Sequence, residues 1–113
     1  KLDSPLNVLS TMELKKVELA RALATKPELL LLDEIMAGLT MQELDEFIHL
    51  VKSINENDVT VVLVEHIMHV VKKLSDRVIC MDQGKKIAEG DYETVASSPE
   101  VVKAYLGEEY AFA

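Results

Sequence analysis

Apolar positions along this chain follow two rhythms, and the rhythms alternate. The first is helical: Leu14, Val17, Ala20, Leu23 and Ala24 trace one stripe. Ser10-x-x-Glu13 is a capping box that opens this helix, and Pro27, which lacks an N–H and disfavours helical dihedrals at Lys26, closes it. The spacing therefore predicts a helix from Ser10 to about Thr25. Next comes "LLLLDE", Leu29 to Glu34. Four apolar residues without alternation suit a strand covered on both faces, as in a parallel sheet. A second capping box, Thr40-x-x-Glu43, opens a helix whose buried side is Leu44, Phe47, Ile48, Val51 and Ile54, and which Asn55, Asn57 and Asp58 break. "VTVVLV", Val59 to Val64, is β-branched and reads as a second buried strand. A short helix follows over Met68 to Leu74. "RVICMD" and "KKIAEG" flank Gln83-Gly84 as a hairpin. Asp91 and Ser98-Pro99 start two last helices, the second ending at Gly107; residues 1–8 read as irregular, with Pro5 as punctuation.

Helices and continuous apolar strands in alternation indicate an α/β fold with a largely parallel sheet and flanking helices. Its 113 residues suffice for one small domain. Ligands of such sheets bind off the carboxyl ends of the strands. The residues there are Asp33 and Glu34 after the first strand, and Glu65 and His66 after the second. Two carboxylates and a histidine converging in one crevice suit metal-assisted phosphate hydrolysis: one carboxylate helps hold Mg²⁺, the other acts on a water, and the histidine donates to a phosphate oxygen.

Charge and cysteine usage narrow the partners. The net charge of −8 argues against nonspecific binding to nucleic acid or to anionic membrane, which both need a basic footprint. The lysine pairs 15/16, 72/73 and 85/86 are too short to supply one and read as solvated faces. Cys80 is the single cysteine, so no internal disulfide forms. No apolar run has the length of a membrane span, and no signal peptide opens the chain.

"LSTMELKKVELARALATKPELLLLDEIMAGL" resembles the signature helix, Walker B strand and D-loop of an ABC-type ATPase. "VTVVLVEHIMHVVKKLSDRVICMDQGKKIAEG" resembles its switch-histidine strand and the hairpin beyond. "SSPEVVKAYLGEEY" is similar to the C-terminal helix of ATP-binding subunits of branched-chain amino-acid importers. The ordered series runs from about Leu9 to Tyr110. It implies a partial P-loop NTPase fold over 1–113: signature helix, Walker B and D-loop in 9–40, switch strand and hairpin in 59–90, and C-terminal helices in 91–113.

The resemblance also implies roles. Asp33 holds Mg²⁺ through water, Glu34 is the catalytic carboxylate, and His66 contacts the γ-phosphate of ATP. Ser10, Thr11, Met12 and Glu13 form the signature facing the ATP of the opposite subunit, and Gly38 lies in the D-loop. Departures are equally definite. Met12 stands where a glycine is expected, Glu13 where glutamine is usual, Ile35 where proline is common, and Thr40 where asparagine or aspartate often closes the D-loop. No G-x-x-x-x-G-K-[ST] occurs, so the segment lacks the P-loop cradle and the P-loop strand.

The implied protein is therefore the C-terminal half of an ATP-binding subunit. It pairs with a second such subunit and with transmembrane permease subunits, on the inner face of the cell membrane. The segment alone is expected to be inactive and, with a strand missing beside Val59–Val64, to self-associate. Two other classes stay open. One is another member of the wider clan, such as a chromosome-maintenance or mismatch-repair ATPase. The other is a non-catalytic dimerisation or interaction module. Locally, Ser10 and Glu13 are explained by helix capping, and His66 and His69 are spaced as a metal pair lacking an obvious third ligand.

Overall fold

The computed structural model describes residues 9–106. They fall into two compact units, Lys1–His66 and Ile67–Ala113. The sequence suggests one partial domain; the division falls immediately after His66.

In the first unit, α1 (Thr11–Leu23) starts at the capping box the sequence announces. Ser10 Oγ accepts from the Glu13 N–H and Glu13 Oε1 from the Ser10 N–H, each at 3.1 Å. The helix ends at Ala24, and Lys26 takes a left-handed φ of 51° before Pro27. Its predicted stripe is not its buried side. Leu14 and Ala20 are exposed, whereas Met12 and Leu19, two turns apart, are buried. The parallel pair β1 (Leu29–Asp33) and β2 (Thr60–Val64) is in register Leu29↔Thr60 through Asp33↔Val64. Between them α2 (Met41–Glu56) has its own capping box, Thr40 with Glu43, and buries the five residues that its periodicity marks. Asn57 Nδ2 donates back to the Ser53 carbonyl at 2.7 Å, and Asp58 turns the chain at φ 66°.

The parallel pair corrects the reading of the leucine run. Leu30 and Leu32 are buried, but Leu31 is 68% exposed and Leu29 is exposed with it. On β2, Val62 is exposed and Val64 is 55% exposed. Paired residues of parallel strands point the same way, so Leu29, Leu31, Val62 and Val64 make one bare apolar face. The core, with Phe47, Val51 and Met36 at its centre, accounts only for the other.

In the second unit, α3 (Met68–Leu74) precedes an antiparallel hairpin of β3 (Val78–Asp82) and β4 (Lys85–Gly90). Gln83 (φ 49°) and Gly84 (φ 78°) form the two-residue turn, both left-handed as the twist of a tight hairpin requires. A bulge interrupts the register between Cys80 and Met81. Then α4 (Tyr92–Ala96), capped by Asp91, and α5 (Pro99–Val101) lead into a π-helical turn over Val102–Leu106. Tyr105 Oη donates to the Met81 carbonyl, tying that turn to β3. The helix end expected at Gly107 and the reading of residues 1–8 lie outside the described residues.

Candidate functional site

The parallel register puts Asp33 opposite Val64 at the carboxyl ends of β1 and β2. The Glu34 N–H extends the pairing by one bond, donating to the Val64 carbonyl at 2.8 Å. Glu34 itself adopts φ 51°, the left-handed region a non-glycine residue seldom occupies. Such strain persists where surrounding structure imposes it, often at functional positions. Past β2, the chain delivers His66 to the same end. His66 Nε2 lies 3.8 Å from Glu34 Oε1, with both side chains more than half exposed. An exposed contact of this kind contributes little to stability; its interest is chemical. The strands thus gather Asp33, Glu34 and His66 although 32 positions separate Glu34 from His66 in sequence.

Beyond Glu34 the chain turns through Met36, which is buried, to Gly38 at φ 83°. A Cβ at Gly38 would meet nothing within 4 Å, so the dihedral and not the space calls for glycine there.

Ser10, Thr11 and Glu13 sit at the start of α1, where Ser10 and Glu13 satisfy each other through the capping box and all three side chains are at least partly exposed. Met12 goes the other way: its side chain is buried in the core. It neither covers the surface nor offers a side chain to a ligand there.

Glu65, which the sequence places with Asp33, Glu34 and His66 at the strand ends, has a buried side chain that is not open to a ligand. The side chain of Glu65 is 1% exposed; its Oε1 accepts from the His66 N–H at 3.0 Å and lies 3.8 Å from His66 Nδ1. A signal was available. Period-two alternation through Val61, Leu63 and Glu65 puts Glu65 on the covered side and His66 with Val62 and Val64 on the open one.

Among the described residues no three His, Cys, Asp or Glu side chains cluster closely enough to hold a metal ion unaided. Mg²⁺ at phosphate sites is commonly bound through one or two carboxylates, waters and the phosphates themselves. Asp33, exposed at the strand end, fits that share of a site. No helix among the described residues is long and apolar enough to cross a membrane.

Comparison with known proteins identifies relatives of most of the chain. A family model described as a branched-chain amino acid ATP-binding cassette transporter matches residues 85–111. The high-affinity branched-chain amino acid transport ATP-binding protein BraF of Pseudomonas aeruginosa is 41% identical over 95 residues, 83% of this chain and 37% of BraF. The solved ADP conformation of MJ1267, an ATP-binding cassette of an ABC transporter, is similar at a TM-score of 0.81 and 32% identity, over 89% of this chain and 41% of that one. The chain belongs to the ABC ATP-binding cassettes. A dimeric cassette, MJ0796 in a post-hydrolysis state with ADP and phosphate, is similar at a TM-score of 0.70 and 30% identity, over 80% of this chain and 39% of that one. This cassette chain thus spans about two fifths of the length of these relatives, and the fold class read from its sequence is the one they share.

Proposed function

We propose that this chain supplies the hydrolytic half of an ABC importer's ATP-binding subunit, and that branched-chain amino acids are the imported solute. The observation that carries the reading is the pairing of Glu34 with His66 at the carboxyl ends of two parallel strands. In this reading Glu34 orients and deprotonates the attacking water, and His66 contacts the γ-phosphate. Asp33 holds Mg²⁺ through water, and the ion neutralises phosphate charge when bound. Ser10, Thr11, the Met12 backbone and Glu13 face the ATP of a second subunit at the N-terminus of α1, whose positive dipole end suits an anion. Gly38 runs along the interface between the two subunits. The name of BraF and the family model over 85–111 support the solute class; the MJ0796 dimer supports the paired subunit. Permease subunits would hold the assembly on the inner face of the membrane.

No P-loop motif occurs in the 113 residues, so the chain alone is inactive in this reading, and ATP titrated into the millimolar range produces no saturable binding. The decisive test reads the coding frame upstream of the Lys1 codon for a P-loop and assays ATP turnover by the joined polypeptide. Glu34→Gln and His66→Ala are each expected to lower kcat on the order of 10²-fold or more with nucleotide binding retained. Wild-type turnover in Glu34→Gln overturns the role given to Glu34, and no turnover by the joined wild-type polypeptide leaves the interaction module in its place.

A further inference from the structure

His66 stands between two carboxylates, Glu34 and Glu65. Glu34 Oε1 lies 3.8 Å from Nε2 and Glu65 Oε1 lies 3.8 Å from Nδ1. The distances are equal, but the surroundings are not. Glu34 has 55% of its side chain exposed, so water and salt screen its field at the ring. Glu65 has 1% exposed, and a charge acts more strongly through a medium of low dielectric. Glu65 is also the better fixed of the two. Its Oε1 accepts from the His66 backbone N–H at 3.0 Å, which locks the carboxylate beside the imidazole it faces. Which ring nitrogen of a histidine carries the proton is set by the partner the other nitrogen lacks or has.

We infer that Glu65 is the positioning residue for His66: its buried carboxylate keeps the proton of the neutral ring on Nδ1 and leaves Nε2 as the nitrogen facing Glu34 and the open side. An imidazole in water prefers the opposite form, with the proton on Nε2. The consequence reaches the reaction. The neutral ring offers a lone pair at Nε2, so donation from Nε2 to a phosphate oxygen requires the ring to hold both protons.

The inference rests on the reading of His66 as phosphate-facing, but its test does not. The 113-residue chain, ¹⁵N-labelled at its three histidines, is examined by two-bond ¹H–¹⁵N correlation at a pH where the rings are neutral. His66 is expected as the Nδ1–H tautomer in the wild type and as Nε2–H in Glu65→Ala. Glu65→Gln keeps an oxygen to accept from the His66 N–H and so preserves the local fold; it too is expected to shift toward Nε2–H because the charge is gone. An Nε2–H tautomer in the wild type overturns the inference, as does a His66 spectrum unchanged in Glu65→Gln. Should the tautomer shift be seen while Glu34→Gln of the joined polypeptide still turns over ATP, Glu65 remains the positioning residue and the hydrolytic reading fails by itself.

Discussion

At the scale of single residues, Met12 separates two questions that its position in the sequence runs together. A side chain where a signature glycine is expected suggests a blocked phosphate approach. The side chain is instead buried, one face of the α1 start serving the core while the other stays open. Met12→Ala is therefore expected to destabilise the chain by about 2–4 kcal/mol through a cavity, read as a lowered urea midpoint with unchanged slope. Ser10 sits on the open face and acts as a cap. Ser10→Ala is expected to cost about 1 kcal/mol in the same assay. If Met12→Ala cost no more than Ser10→Ala, the core assignment of Met12 would be wrong. Cys80 differs from an ordinary surface thiol. Burial, and secondarily the charge of Asp82, push its pKa up, so alkylation at pH 8 should be slower than that of an unshielded thiol.

At the scale of elements, local signals did most of the work where the chain satisfies itself. The Ser10 and Thr40 capping boxes, the Gln83-Gly84 turn and the Asp91 cap each need only neighbouring residues. The five-residue buried side of α2 was equally legible, because a strong apolar face has one way to go. The stripe of α1 misled: its leucines and alanines are spaced helically, but spacing does not say which neighbour is present to cover them.

The hairpin adds a pH dependence. Hydrogen bonds from Lys86 (2.7 Å) and then Arg77 (2.8 Å) hold the Glu89 carboxyl below its ordinary value near 4.5. Bonds from Thr94 hold Asp91 below its ordinary 3.8. Folding thus favours the ionised forms. The stability they contribute is complete above the ordinary values and is lost as pH falls through the depressed ones. Urea midpoints should fall as the pH is lowered below these ordinary values, and Glu89→Gln should make that fall shallower. An equal acid sensitivity in Glu89→Gln would remove Glu89 from the explanation.

At the scale of the molecule, Leu29, Leu31, Val62 and Val64 form an exposed apolar face of the first unit. Among the described residues β2 pairs only with β1, so an apolar face and an unpaired strand edge coincide. The chain by itself is expected to self-associate. Placing lysines at Leu31 and Val62, whose side chains already reach solvent, should yield a monomer in light scattering with little loss of folding. A wild-type chain that stays monomeric at the same concentration would show the face to be tolerated in water.

What the sequence determined alone was everything written in short range: the order of the elements, their caps and turns, and the ordered motifs that place the chain among the ABC cassettes. It also placed Asp33, Glu34 and His66 after strands, since strand ends follow from hydrophobic runs. Only the tertiary structure decided that β1 and β2 pair directly, with Glu34 and His66 meeting at 3.8 Å. It alone showed Met12 turned inward, Glu65 buried against His66, and one sheet face exposed among the described residues. The reason is physical. Caps and turns are closed by bonds within four residues of chain, whereas burial depends on which distant surface arrives to exclude water.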